Sequence, residues 1–142
     1  MDKKINIQYQ IKSIELVGLS ITPPKDLSAK TKTYQYNINI EHRIVPDKKW
    51  FLVMVTINIL DDANNIKLGH VKVVVNFAIN NFDDFLDASD KTKINLPEEM
   101  ITVFNSISIS TTRGIMFSQF RGTYLHNAIL PIVDPKSFKK EK

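Results

Sequence analysis

The chain has no cysteine. That excludes disulfides, thiolate metal sites and a cysteine nucleophile, and it fits a reducing compartment. No stretch of about 18 uninterrupted apolar residues occurs, so the sequence carries no signal for a membrane-spanning helix. Glycine is scarce, at four in 142 residues, and none sits in a phosphate-cradling loop. The opening residues, MDKKINIQYQ, have no apolar signal core and read as a cytoplasmic start. No nucleophile-elbow motif appears.

Other chemistry-bearing residues are present without a constellation. His42, His70 and His126 fall on three separate expected elements without metal-ligand spacing, so they read as ordinary polar or interface residues. Asp83-Asp84 lacks the calcium-loop pattern and reads as a solvated pair. The serines of 106–110 have no positioned base. The expectation is a protein that is not an enzyme and holds no metal or cofactor.

What is present is apolar periodicity. At 142 residues with 43% hydrophobic composition, a single globular domain over 1–142 is expected, with 139–142 a frayed basic tail. The net charge of +4 divides into +3 over 1–33, −1 over 34–133 and +2 over 134–142. The excess lies in the terminal segments, without a basic face interleaved with aromatics, so no nucleic-acid partner is expected. No internal repeat appears.

Alternation marks four strands. In the first, Ile5, Ile7, Tyr9 and Ile11 keep one parity, Ile14 and Leu16 the other, and Leu19 and Ile21 the first again. Those two slips read as a bulge within one long strand or as two short strands. Pro23-Pro24 ends it, and 25–33 is a polar connection with Leu27 its lone large apolar residue. The second strand puts Tyr34, Tyr36, Ile38, Ile40 and Ile44 on one face and Gln35, Asn37, Asn39, Glu41 and Arg43 on the other. The third carries Phe51, Val53, Val55, Ile57 and Ile59, with Trp50, Leu52 and Met54 behind them. The fourth carries Val71, Val73, Val75, Phe77 and Ile79. An acidic connection follows, anchored by Phe82, Phe85 and Leu86.

Residues 95–130 read as one long helix. Asn95 or Leu96 is the expected cap, Pro97 the first helical residue, and Glu98 and Glu99 complement the helix dipole. Pro131 stops it. Within it, 106–112 alternates isoleucine with serine, which taken alone is a strand pattern; the caps and the length favour helix. Ser106, Ser110, Gly114, Ser118 and Gly122 recur every fourth position as a flat, narrow row. The row reads as core packing within one subunit or as a subunit interface, and spacing slightly favours the first. Strands first and helix last is an α+β fold: a four-stranded antiparallel sheet, a meander with a crossover after the first strand, then a long helix and a short terminal segment. Both faces of that sheet carry hydrophobe, and one helix covers part of one face, which points to an oligomer.

Several short stretches, in this order, resemble the SecB family of export chaperones, above all its divergent SecB-like members. They are IELVGLSITP from Ile14, FLVMVTI from Phe51, Asn76-Phe77-Ala78-Ile79, Leu96-Pro97 at the helix start, Thr112-Arg113-Gly114 within it, and Leu130-Pro131-Ile132 followed by Phe138. The resemblance implies a homotetramer, a dimer of dimers with helices sandwiched between sheets. It implies that unfolded polypeptide clients are held in apolar grooves without ATP, in the service of protein export. The matching groove residues are Leu27, Tyr34 and Tyr36 on one side and Ile132, Val133 and Phe138 on the other. Strand alternation alone assigns Tyr34 and Tyr36 equally well to the core. Acidic residues that the family uses to contact the SecA motor are replaced here by Gly18 and Thr22, so SecA is not carried over as a partner. A dedicated client, such as an antitoxin, and a small-ligand binding module are the alternatives.

Overall fold

The computed structural model describes residues 8–22, 33–62, 66–90 and 92–134. Among the described residues, four strands, β1 (Tyr9–Ile21), β2 (Tyr34–Val45), β3 (Trp50–Asp61) and β4 (Lys67–Ile79), precede a short 3-10 turn at Phe82–Phe85 and one α-helix, α1 (Glu98–Phe120). The sheet is antiparallel throughout, in the order β1-β4-β3-β2. Thus β2, β3 and β4 form the meander, and the chain crosses from one sheet edge to the other between β1 and β2. The fold is α+β, as the sequence pattern implies.

The two phase slips in β1 are two bulges inside one continuous strand. Register against β4 shifts between Ile11 and Ser13, and again between Leu16 and Gly18. Directly paired residues share a sheet face. Each bulge therefore returns the apolar residues to one side, and Tyr9, Ile11, Ile14, Leu16, Leu19 and Ile21 all lie beside the helix-facing residues of β4.

α1 lies on the face that carries Phe51 and Phe77. The anchor is Phe104, fully buried. Its ring stacks on Phe77 at 4.3 Å, packs beside Phe51 at 5.5 Å and meets the edge of Tyr9 at 5.0 Å. The rest of the buried stripe, Ile109, Met116 and Phe120, follows at helical spacing. The isoleucine–serine alternation does not make a strand because Phe104, Ile109 and Met116 bury together only at helical spacing, and the buried hydroxyls are satisfied within the helix. Ser108 donates to the Phe104 carbonyl and Thr112 to the Ser108 carbonyl, both at 2.7 Å.

The helix is shorter than 95–130. Pro97 is its cap and not its first turn, with Glu98 and Glu99 following. It stops at Phe120 because Arg121 is extended and Gly122 adopts φ 79°, a left-handed conformation that glycine accepts without steric cost. Gly122 therefore stands outside the helix and leaves the small-residue row. The other four members, Ser106, Ser110, Gly114 and Ser118, are all exposed, on the side away from the sheet. Packing within one subunit does not account for them. A Cβ built on Gly114 would meet nothing within 4 Å.

The acidic connection is tied down as expected, with Phe82 fully buried and Phe85 and Leu86 packed on the core. Asn95 N–H closes the loop onto the Phe85 carbonyl at 2.7 Å. Phe104 is the contact that seats the helix. Phe104→Ala is expected to lower stability by about 3–5 kcal/mol, the usual cost of deleting a buried aromatic. Gln119→Ala, on the exposed side of the same helix, should change it by less than about 0.5 kcal/mol. Urea denaturation at matched protein concentration checks both.

Candidate functional site

The sheet end from which the crossover leaves collects three tyrosines. Thr22 is the last described residue before the crossover and Thr33 the first after it. Tyr34 and Tyr36 open β2 on its helix-facing side, half-buried against the core. Tyr124 arrives from the turn after α1. Its hydroxyl donates to the Leu68 carbonyl at 2.9 Å and to the Thr22 carbonyl, so it ties the end of β1 to the start of β4. Burial raises all three hydroxyls above the ordinary tyrosine pKa. The Asp61 carboxylate adds to the effect on Tyr34, and Tyr34 in turn acts on both Tyr36 and Tyr124.

Gly69 makes room for this arrangement. A Cβ there would come 2.8 Å from Leu125 Cδ1 and 3.5 Å from Phe120 Cζ. The absent side chain lets the turn after the helix close onto β4, and that turn carries Tyr124.

The terminal segment then runs back along α1. Ala128 and Leu130 are buried. Arg113, near the middle of the helix, donates from Nε to the Leu130 carbonyl at 2.8 Å and from Nη2 to the Pro131 carbonyl at 3.0 Å. These two bonds hold a segment in which Ile132 is 94% exposed and Val133 packs on the core. Of the six groove residues expected, Tyr34 and Tyr36 open β2 at the sheet end that Tyr124 also reaches, while Ile132 and Val133 follow the two carbonyls held by Arg113. Leu27 and Phe138 lie outside the described residues.

The sequence reading missed Tyr124 as a site residue because it assigned it to the helix. Gly122, two residues earlier, is the signal that would have separated it. It also missed a hollow of about 650 Å³ at the opposite end of β2, lined by His42, Ile44, Phe51, Ile94, Leu96 and Ile101 among others. Two distant regions of the chain, 42–51 and 92–101, build that hollow, so no local pattern announces it. His42 there lies 2.7 Å from Asn105 Oδ1, with its ring on Phe51. His70 lies 2.9 Å from Asn58 Oδ1, and His126 bonds the Thr123 carbonyl. The three histidines thus occupy separate places in the fold.

Apolar surface remains open on the helix side of the sheet. Ile11, Ile14, Leu16 and Leu19 on β1 are 40–46% exposed. On the other face Trp50, Leu52 and Met54 are half-buried without an element over them among the described residues. No helix among the described residues is long and apolar enough to cross a membrane.

No family model matches the chain, and no curated protein matches it at a significant level. Among solved structures it is similar to the SecB-like chaperone Rv1957 of Mycobacterium tuberculosis, determined in complex with a ChAD peptide from the antitoxin HigA1, Rv1956. The TM-score is 0.60 at 15% identity, over 89% of this chain and 91% of that one. At that identity the likeness concerns architecture, and the architecture of this chain is SecB-like.

Proposed function

We propose that this protein is an ATP-independent chaperone of the cytoplasm that holds unfolded or extended polypeptides on apolar surface. The observation that carries this reading is the likeness of its whole fold to a SecB-like chaperone bound to a peptide. The open apolar surface agrees with it. Large apolar residues that stay uncovered in one copy mark sites for a partner chain, and aromatic groups such as Tyr34, Tyr36 and Tyr124 give contact area without demanding one sequence. The client surface proposed comprises Tyr34, Tyr36, Ile132 and Val133, together with Leu27 and Phe138, which lie outside the described residues. No chemical step is required, so the protein is not an enzyme and uses no cofactor.

Because the similar chaperone holds a peptide from an antitoxin, a dedicated client is a second reading of the same surface. Delivery to the SecA motor is not part of the proposal. A side chain at Gly18 would come 3.2 Å from His70 Nε2 and from Lys72 Cβ, which leaves little room for an acidic contact there. The outer face of the sheet carries both signs of charge, including Glu15 on β1 and Arg43 paired with Glu41 on β2.

The assembly proposed is a homotetramer, a dimer of dimers, with the exposed row Ser106, Ser110, Gly114 and Ser118 at an interface between helices. Small residues let helix backbones approach closely, which is how such a row would act.

Light scattering should report a tetramer. Gly114→Arg should reduce its size without unfolding the subunit, since the added side chain enters open space within one copy and glycine gives up about 1 kcal/mol of helix propensity. An unchanged tetramer removes the row from the interface. For function, the protein should suppress aggregation of a denatured model protein equally with and without ATP. The double variant Tyr34→Ala and Ile132→Ser should lose most of that activity while keeping its oligomeric size. Full activity in the variant would remove these residues from the client surface.

A further inference from the structure

The hollow of about 650 Å³ lies at the end of β2 opposite Tyr34 and Tyr36, and it divides into an apolar wall and a cationic margin. Its volume falls within the range of sites that enclose small molecules, about 300–1,000 Å³. Ile44 from β2, Phe51 from β3, Leu96 from the stretch before α1 and Ile101 from the helix itself make the wall. Phe51 is buried, and Ile44, Leu96 and Ile101 are half-buried. His42 is held beside them. Its Nε2 donates to Oδ1 of the buried Asn105 at 2.7 Å, and its ring packs against Phe51 at 5.2 Å. That part of the wall is therefore fixed before any ligand arrives.

The margin carries Arg43 and Lys93, both exposed. No aspartate or glutamate is among the described residues that line the hollow. The acids beside these two cations leave them available. Glu41 meets Arg43 at 3.9 Å with both side chains at least half exposed, a contact that water and salt screen. Asp90, just before Lys93 in the chain, accepts from the Thr92 N–H at 3.0 Å and from the Thr92 hydroxyl.

We propose that this hollow binds a free amphipathic carboxylate, with its aliphatic chain on Ile44, Phe51, Leu96 and Ile101 and its anionic head at Arg43 and Lys93. Each half of such a ligand answers one half of the site. The chain removes apolar surface from water. The head meets two cations, one of them a guanidinium whose planar fork fits a carboxylate. A neutral apolar ligand leaves the cations unused, and a cationic amphiphile meets like charge at the margin. An unfolded polypeptide holds no anion at a fixed distance from its apolar side chains, so it matches the site less well. The site lies away from Tyr34 and Tyr36, and it stands independently of the chaperone reading.

Isothermal titration calorimetry of the full-length protein with dodecanoate, kept below its micelle-forming concentration, measures the binding. Dodecyltrimethylammonium is the matched cation. Dodecanoate should bind at one site per chain, and the cation at least about tenfold more weakly. The double variant Arg43→Glu and Lys93→Glu changes two exposed side chains, so the fold should keep its melting temperature. Its affinity for dodecanoate should fall at least about tenfold. Ile101→Trp, which fills the hollow, should lose binding; if it melts early, the double variant alone decides. Tyr34→Ala, at the other end of β2, should bind dodecanoate as the wild type does. Absence of binding by the wild type overturns the proposal, as does equal affinity for the cation. Unchanged affinity in the double variant also overturns it, and loss of binding in Tyr34→Ala instead would move the amphiphile to the client surface.

Discussion

A single α-helix about 10 Å wide cannot cover four strands that lie about 4.8 Å apart. In this protein α1 settles over the middle pair, β3 and β4, because Phe104 locks onto Phe51 and Phe77 from those two strands. Everything else follows from that placement. The helix-facing residues of β3 and β4 are buried, those of β2 are half-buried, and most of those of β1 remain exposed. A monomer with this layout leaves apolar surface on both flanks of α1.

The two flanks differ in chemistry. On β1 the bulges realign the apolar residues at the cost of an irregular edge. On β2 the ladder runs without interruption and the side chains on the helix side begin with two tyrosines. The outward side of α1 adds a third surface, narrow and rich in small residues. A permanent neighbour needs shape complementarity over a fixed surface, whereas a passing unfolded chain needs aromatic contact and backbone partners that do not depend on sequence. The apolar surface of this chain is divided between these flanks, on a fold that is SecB-like.

Most of the sheet was legible in the sequence because alternation is a local signal that burial on one face enforces. Even the two parity slips of β1 were visible, although whether they meant one strand or two depended on β4, which lies more than forty residues away in the chain. The helix was legible at its start, where Pro97 and the two glutamates act locally. Its end was not, since Pro131 gave a strong stop signal and masked the earlier one at Gly122. The small-residue row was visible as a pattern, but a spacing does not say which side of a helix meets the sheet; burial of Phe104, Ser108, Thr112 and Met116 decided that. Tyr34 and Tyr36 were found as candidates from strand position. Tyr124 and the hollow beside Ile44 were not, because both are made by tertiary packing of distant segments.

Hydrogen exchange of the native protein, with and without a denatured client, tests the account most directly. The account predicts that client adds protection along β2, over 34–45, and beside Arg113 at 130–133, with little change along β3 and β4 that are already buried. Protection confined to β1, or none at all while the client stays bound, would contradict it.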